Sequence, residues 1–160
     1  SLARERGRLQ RNFQGYSTHA DCDLVAMGIT SIGKVGDTYS QNMRGLEEYY
    51  QRIDAGHLPV FRGIELNGDD LIRRDVITRL ICHFALDFAA VEAAWGIRFQ
   101  DYFSAGLESL RGMMDDGLLV IDPSGIRVLP RGRLLIRNIC MAFDRYLPPV
   151  EQQKSFSRVI

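Results

Sequence analysis

Leu118-Leu119-Val120-Ile121, then Asp122-Pro123-Ser124-Gly125, then Ile126-Arg127-Val128-Leu129: this run carries the first firm structural statement. Two apolar, partly β-branched runs flank four turn-forming residues. Pro presets its own φ, Asp can accept hydrogen bonds from the backbone just ahead of it, and Gly tolerates a left-handed backbone. The pattern predicts a β-hairpin at about 118–129. Working upstream, Phe99 to Asp115 reads as a helix with Phe99, Tyr102, Phe103, Leu107, Leu110 and Met114 inward. Residues 88–95 read as a short helix stopped by Gly96. Before it, Asn67-Gly68-Asp69-Asp70 caps a strong helix striped by Leu71, Ile72, Val76, Ile77, Leu80, Ile81 and Phe84. Downstream, a last helix runs from about Arg131 to Tyr146 and stops before Pro148-Pro149.

Helix, short helix, helix, then a two-stranded wing resembles a winged-helix domain. That is a likeness of fold and does not decide function. A groove-reading helix would be Arg98 to Asp116. It sets Arg98 and Arg111 against Asp101, Glu108, Asp115 and Asp116, a net −2 that repels phosphate. DNA binding is not expected, and the wing reads as a structural end-piece.

The N-terminal region has another character. Residues 1–13 read as a helix entered in its middle, with Arg4, Arg6, Arg8 and Arg11 around Leu2, Leu9 and Phe13. The chain is therefore expected to be a piece of a longer protein. Leu24-Val25-Ala26-Met27-Gly28-Ile29-Thr30-Ser31-Ile32-Gly33 is apolar and uncharged, as in a parallel strand covered on both faces. Gly28 and Gly33 suggest close approach of a ligand or another backbone. Lys34-Val35-Gly36-Asp37 reads as a turn, Tyr39 to Asn42 as the lead into a helix over Met43–Ala55, and His57 to Leu66 as an extended connector.

The 160 residues carry 20 Lys+Arg against 20 Asp+Glu, so there is no basic surplus to attract nucleic acid. No apolar run approaches the roughly 20 residues that span a bilayer, and no apolar leader opens the chain. Cys22, Cys82 and Cys140 are too far apart for a cysteine metal site and read as free buried thiols in a reducing compartment. His19, His57 and His83 have no HExxH-type spacing; His83 reads as a core residue, and only His19, beside Asp21 and Asp23, hints at a base or ligand. Gly28-x4-Gly33-x2-Gly36 fits neither GxGxxG nor a phosphate-binding loop. Arg62, Arg73, Arg74, Arg79, Arg133, Arg137 and Arg158 lie in apolar stretches. They either pair internally with Asp70, Asp75, Asp87 or Asp144, the reading preferred, or form a rim for an acidic substrate. No catalytic residue and no metal ligand is assigned.

Whole segments are more specific. Arg11-Asn12-Phe13-Gln14-Gly15-Tyr16-Ser17-Thr18, the run Asp23 to Asp37, Arg62-Gly63 with Asp70-x-Ile72-Arg73-Arg74-Asp75-Val76-Ile77, Gly132 to Asp144, and Phe156-Ser157-Arg158-Val159-Ile160 resemble the C-terminal portion of oxygen-independent coproporphyrinogen III oxidases. The resemblance implies a mainly α fold with a small β component: residues 1–40 as the last helix and strand of a radical-S-adenosylmethionine (radical-SAM) partial (β/α) barrel, and 41–160 as a helical, winged-helix-like C-terminal domain. It implies that the parent enzyme decarboxylates two propionates of coproporphyrinogen III oxidatively to vinyls, using S-adenosylmethionine and a [4Fe–4S] cluster. It also implies a monomeric cytoplasmic protein acting on a small molecule, with no nucleic acid or membrane partner. Ile32 matches a family position at the cluster-bound S-adenosylmethionine, and Phe13 and Gln14 match positions near a second S-adenosylmethionine. Ser17 stands where many members have Thr. The C-x3-C-x2-C cluster motif is not in this chain, which is expected to be inactive alone. A haem- or porphyrin-binding relative without oxidase activity is the alternative.

Overall fold

The computed structural model describes residues 9–12, 15–19 and 22–147. They fall into two compact units, within Ser1–Ile72 and Arg73–Ile160.

The first unit begins with a small antiparallel ladder of β1 (Gln10–Asn12) on β2 (Gly15–Ser17). The Asn12 side chain accepts the Gly15 N–H at 3.1 Å, and the Arg11 guanidinium lies 5.3 Å from the Tyr16 ring centre. The expected N-terminal helix does not reach this stretch: residues 10–12 are extended, and 1–8 lie outside the described residues. A three-stranded antiparallel sheet follows, ordered β3 (Ile32–Val35), β4 (Thr38–Asn42), β5 (Val60–Glu65), with helix α1 (Leu46–Asp54) between β4 and β5.

This corrects three readings. The run 24–33 is not one buried parallel strand: Leu24 forms an isolated bridge to Lys34, Ile32 and Gly33 begin the antiparallel β3, and between them Val25 and Met27 are 72% and 82% exposed. Tyr39 to Asn42 is strand, and the supposed connector is an edge strand. Strand pairing here is carried by backbone bonds rather than by side-chain alternation, which is why apolar patterning did not reveal it.

Helix α2 (Gly68–His83) starts in a reciprocal cap: the Asn67 side chain accepts the Asp70 N–H at 3.0 Å and the Asp70 carboxylate accepts the Asn67 N–H at 3.1 Å. It ends where Phe84 turns left-handed, φ 60°, an unusual conformation for a bulky residue. Phe84 N–H donates to Leu80 O at 2.9 Å, its carbonyl accepts Val128 N–H at 2.8 Å, and the Arg133 guanidinium sits 5.2 Å from its ring centre.

The second unit continues with β6 (Ala85–Asp87), α3 (Phe88–Trp95), α4 (Phe99–Tyr102), α5 (Ser104–Ser109), α6 (Arg111–Asp115), β7 (Leu119–Asp122) and β8 (Gly125–Val128). A 3-10 turn over Pro130–Leu135 then leads into α7 (Ile136–Met141). The hairpin falls where expected, but it belongs to a three-stranded antiparallel sheet ordered β6-β8-β7. β6 was missed because three residues show no periodicity. In place of one long helix over 99–115, three short ones break at Phe103 and Leu110, both buried. The final helix is shorter than expected and ends before Phe143, which folds inward and is fully buried. With eight strands beside the helices among the described residues, the fold is mixed helix and sheet rather than mainly helical.

The core of this unit is aromatic and aliphatic. Phe99 stacks on Phe88 with ring centres 4.2 Å apart, and lies 4.8 Å from Phe103 and 6.2 Å from Phe143. Val76, Leu80, Val91, Leu110, Leu119 and Ile139 are buried in the same unit. Two caps interlock at its edge. The Asp87 side chain accepts Ala90 N–H to start α3, and the Glu92 carboxylate accepts Phe99 N–H at 2.7 Å to start α4.

Candidate functional site

Of the three residues singled out by resemblance, Ile32 lies among the described residues, and Phe13 and Gln14 lie outside them. Ile32 is half-buried at the start of β3, opposite Gln41 on β4.

What precedes Ile32 is a loop held by its backbone. Thr30 N–H donates to Met43 O at 2.8 Å, and Asn42 N–H donates to Ser31 O at 2.9 Å. The Asn42 side-chain amide donates to Gly28 O at 2.9 Å and Ala26 O at 3.3 Å. Gly28 N–H donates to the Tyr49 hydroxyl at 3.0 Å, and the Ser31 hydroxyl to Met27 O at 2.6 Å. The Gln41 amide donates to Thr30 O at 3.2 Å while its oxygen accepts the Arg62 Nε–H at 2.9 Å. Gly28 has φ 92° and Thr30, without a glycine's freedom, φ 58°.

The close approach inferred at Gly33 is met by backbone. A Cβ there would stand 2.9 Å from Leu24 O, because Leu24 and Lys34 exchange N–H···O bonds at 2.7 and 2.8 Å.

The other candidates separate from this region. Asp23, read as a possible neighbour of a catalytic His19, instead accepts the Gly36 N–H at 2.8 Å and closes the β3–β4 turn. His19 is exposed, and its own N–H donates to the Ser17 hydroxyl at 3.0 Å. His57 is exposed and His83 half-buried. Cys82 and Cys140 are buried as expected, whereas Cys22 is exposed. Among the described residues no group of three or more His, Cys, Asp or Glu could hold a metal ion.

The arginine pairing expected with Asp75 is present. The Asp75 carboxylate accepts Arg79 Nε–H at 2.9 Å and Trp95 Nε1–H at 2.9 Å. Arg73 donates to Phe143 O at 3.1 Å, with its guanidinium 5.4 Å from the Phe103 ring centre. Asp87 serves the α3 cap and Asp144 accepts Tyr146 N–H at 2.8 Å. On the acidic helices the two arginines meet acids one turn away, Arg98–Asp101 at 3.0 Å and Arg111–Glu108 at 2.8 Å, in exposed pairs worth little stability.

In the turn between β7 and β8, Asp122 accepts the Ser124 hydroxyl, the Ser124 N–H at 2.8 Å and the Gly125 N–H at 3.1 Å. The hydroxyl first, then these amides, with Arg127 adding attraction, hold its carboxyl below the ordinary carboxylate range.

What the geometry defines is a two-unit protein whose second unit combines helices with a three-stranded antiparallel sheet, and a pinned loop that precedes an apolar side chain at the head of a strand. Residues 66–135 match the family model of the HemN C-terminal domain. Over all 160 residues the chain is 49% identical to the oxygen-independent coproporphyrinogen III oxidase of Escherichia coli strain K12, of which it spans 35%. The oxidase of Pseudomonas aeruginosa is 49% identical over 158 residues, 99% of this chain and 34% of that protein. The Synechocystis oxidase is 43% identical over 164 aligned residues. Among solved structures, the E. coli coproporphyrinogen III oxidase, described as a radical-SAM enzyme, superposes with a TM-score of 0.86 at 50% identity, covering 91% of this chain and 34% of that one. Residues 66–135 thus match the HemN C-terminal domain model, and along its whole length the chain is similar to the C-terminal portion of oxygen-independent coproporphyrinogen III oxidases. It spans about a third of the length of these relatives.

Proposed function

We propose that this chain is the C-terminal part of an enzyme that converts coproporphyrinogen III to protoporphyrinogen IX by oxidative decarboxylation of two propionates to vinyls. The observation that carries the reading is identity of about half across the entire chain, with a superposition on the E. coli enzyme that covers 91% of it. In this reading the N-terminal stretch ends a partial (β/α) barrel, with the boundary near residue 40, and the remainder is a winged-helix-like domain. The protein acts in the cytoplasm on a small-molecule substrate, without nucleic acid or membrane partners.

In this reading the [4Fe–4S] cluster is held by a cysteine motif outside this chain, as the family resemblance implies. Bound there, the cluster and S-adenosylmethionine supply the radical chemistry. The contribution of this chain is apolar contact and position. The Ile32 side chain, half-buried at the head of β3, offers a hydrocarbon face to the adenosyl group, and the pinned loop before it sets where that face stands. Phe13 and Gln14 add an aromatic face and an amide toward a second S-adenosylmethionine. The test is an anaerobic assay of the full-length protein with coproporphyrinogen III, S-adenosylmethionine and a low-potential reductant. Two molecules of carbon dioxide per protoporphyrinogen IX are expected. A full-length protein with an intact cluster and no porphyrinogen product overturns the reading in favour of a porphyrin-binding relative.

A further inference from the structure

We propose that Asn42 is a positioning residue for this reaction, acting through the Ala26–Ser31 loop on the placement of Ile32; the proposal rests on the reading of Ile32 given above. Asn42 is 3% exposed and ends β4. Its backbone N–H and its side-chain amide reach the loop at three carbonyls: Ser31 O at 2.9 Å, Gly28 O at 2.9 Å and Ala26 O at 3.3 Å. Two adjacent donors of one carboxamide facing two carbonyls two residues apart fix both the position and the curl of the chain between them.

That curl has a cost, since Thr30 holds φ 58° without glycine's freedom. Such backbone persists only where its surroundings over-determine it, and it clusters at sites where geometry serves function. Here the over-determination is visible. Thr30 is tied at both its N–H and its carbonyl, to Met43 O and to the Gln41 amide, and Gly28 N–H is tied to Tyr49.

Within this chain the restraint is carried by hydrogen bonds rather than by side-chain burial: Met27 is 82% exposed and Ile29 and Thr30 are exposed. What the restraint does fix is the direction in which the chain enters β3, and therefore the place of Ile32 one residue past the loop. A residue that contacts a reacting group works only if a second shell holds it within a fraction of an ångström.

The exchange Asn42→Asp keeps the size of the side chain and removes both amide donors. In the 160-residue chain, amide hydrogen exchange at Gly28–Ile32 should accelerate about tenfold or more while exchange in the second unit stays unchanged. In the full-length protein, calorimetric titration with S-adenosylmethionine should show affinity weakened about tenfold. The ratio of 5′-deoxyadenosine released to vinyl product formed should rise, because a misplaced adenosyl group reacts without reaching the propionate. Phe143→Leu, in the core of the second unit, serves as the stability control. It should lower the melting temperature at least as much and alter neither affinity nor that ratio. Normal affinity and coupling in Asn42→Asp overturn the proposal and leave the functional reading standing. If the unaltered full-length protein neither binds nor cleaves S-adenosylmethionine, the functional reading falls and the role of Asn42 falls with it.

Discussion

Replacing Phe99 tests how the second unit is held together. The side chain is completely buried, and its ring centre lies 4.2 Å from Phe88 and 4.8 Å from Phe103, with Phe143 further off at 6.2 Å. Each close aromatic pair adds about 0.5–1.5 kcal/mol beyond the area it buries. Phe99→Leu keeps most of the apolar volume and loses the two close pairs, so it should cost about 1–3 kcal/mol. Phe99→Ala removes the ring outright and opens a cavity, which should cost about 3–5 kcal/mol. A unit of some 75 residues has a total stability of about 4–11 kcal/mol, so the alanine variant should lose a large fraction of it. The assay is urea unfolding of the whole chain followed by tryptophan fluorescence. Trp95 is the sole tryptophan and its indole N–H is bonded to Asp75, so the signal reports this unit alone. Both variants should lower the midpoint with an unchanged denaturant slope, alanine about twice as far as leucine. A leucine variant with the wild-type midpoint would refute the claim that ring stacking contributes, and an alanine variant losing under about 1 kcal/mol would refute the burial of Phe99 itself.

Two further outcomes concern the β7–β8 hairpin and the segments beside it. A methyl group at Gly132 would run into Leu118 O and press on Val128, so Gly132→Ala should destabilise by about 1–3 kcal/mol; Gly112→Ala, where nothing stands within 4 Å of the added carbon, should leave the urea midpoint unchanged or raise it. The depressed pKa of Asp122 means that its turn bonds contribute fully above the unfolded carboxyl value of about 3.9 and are lost as pH falls through the lower folded value. Protection of the Ser124 and Gly125 amides should therefore be constant from neutral pH down to about 4 and fall in the more acid range; pH-independent protection in NMR exchange data would remove Asp122 from the account of the turn.

The second unit was largely legible because its signals are local. The Asp122-Pro123-Ser124-Gly125 turn, the Asn67/Asp70 cap and the stop at Gly96 each act within a few residues of where they stand. The first unit was not. The uncharged run from Leu24 to Gly33 fits a buried strand, but it also fits a loop whose polar backbone groups are taken up by Asn42, Gln41 and Tyr49. Those partners lie 11 to 21 residues away, and no spacing rule announces them. β5 hid behind Pro59 and Gly63, which read as a connector until β4 supplied its ladder. Ile32 was reached only through family resemblance. Asn42 was missed because a buried asparagine looks in sequence like any exposed one.

The central place of β8 constrains the order in which the second unit can form. Its pairing with β7 closes across a two-residue turn, whereas its pairing with β6 joins Ala85 to Arg127, forty-two residues apart. A flexible loop of that length carries a closure entropy that the short hairpin escapes, about 0.6 kcal/mol for each doubling of length. Helices α3 to α6 lie inside the loop, and their prior formation shortens the span that must be closed. The hairpin and helices can thus mature independently, and β6 docks afterward, bringing the end of α2 with it through Phe84. Slow steps in refolding would then be expected to report the arrival of β6 rather than the growth of any helix.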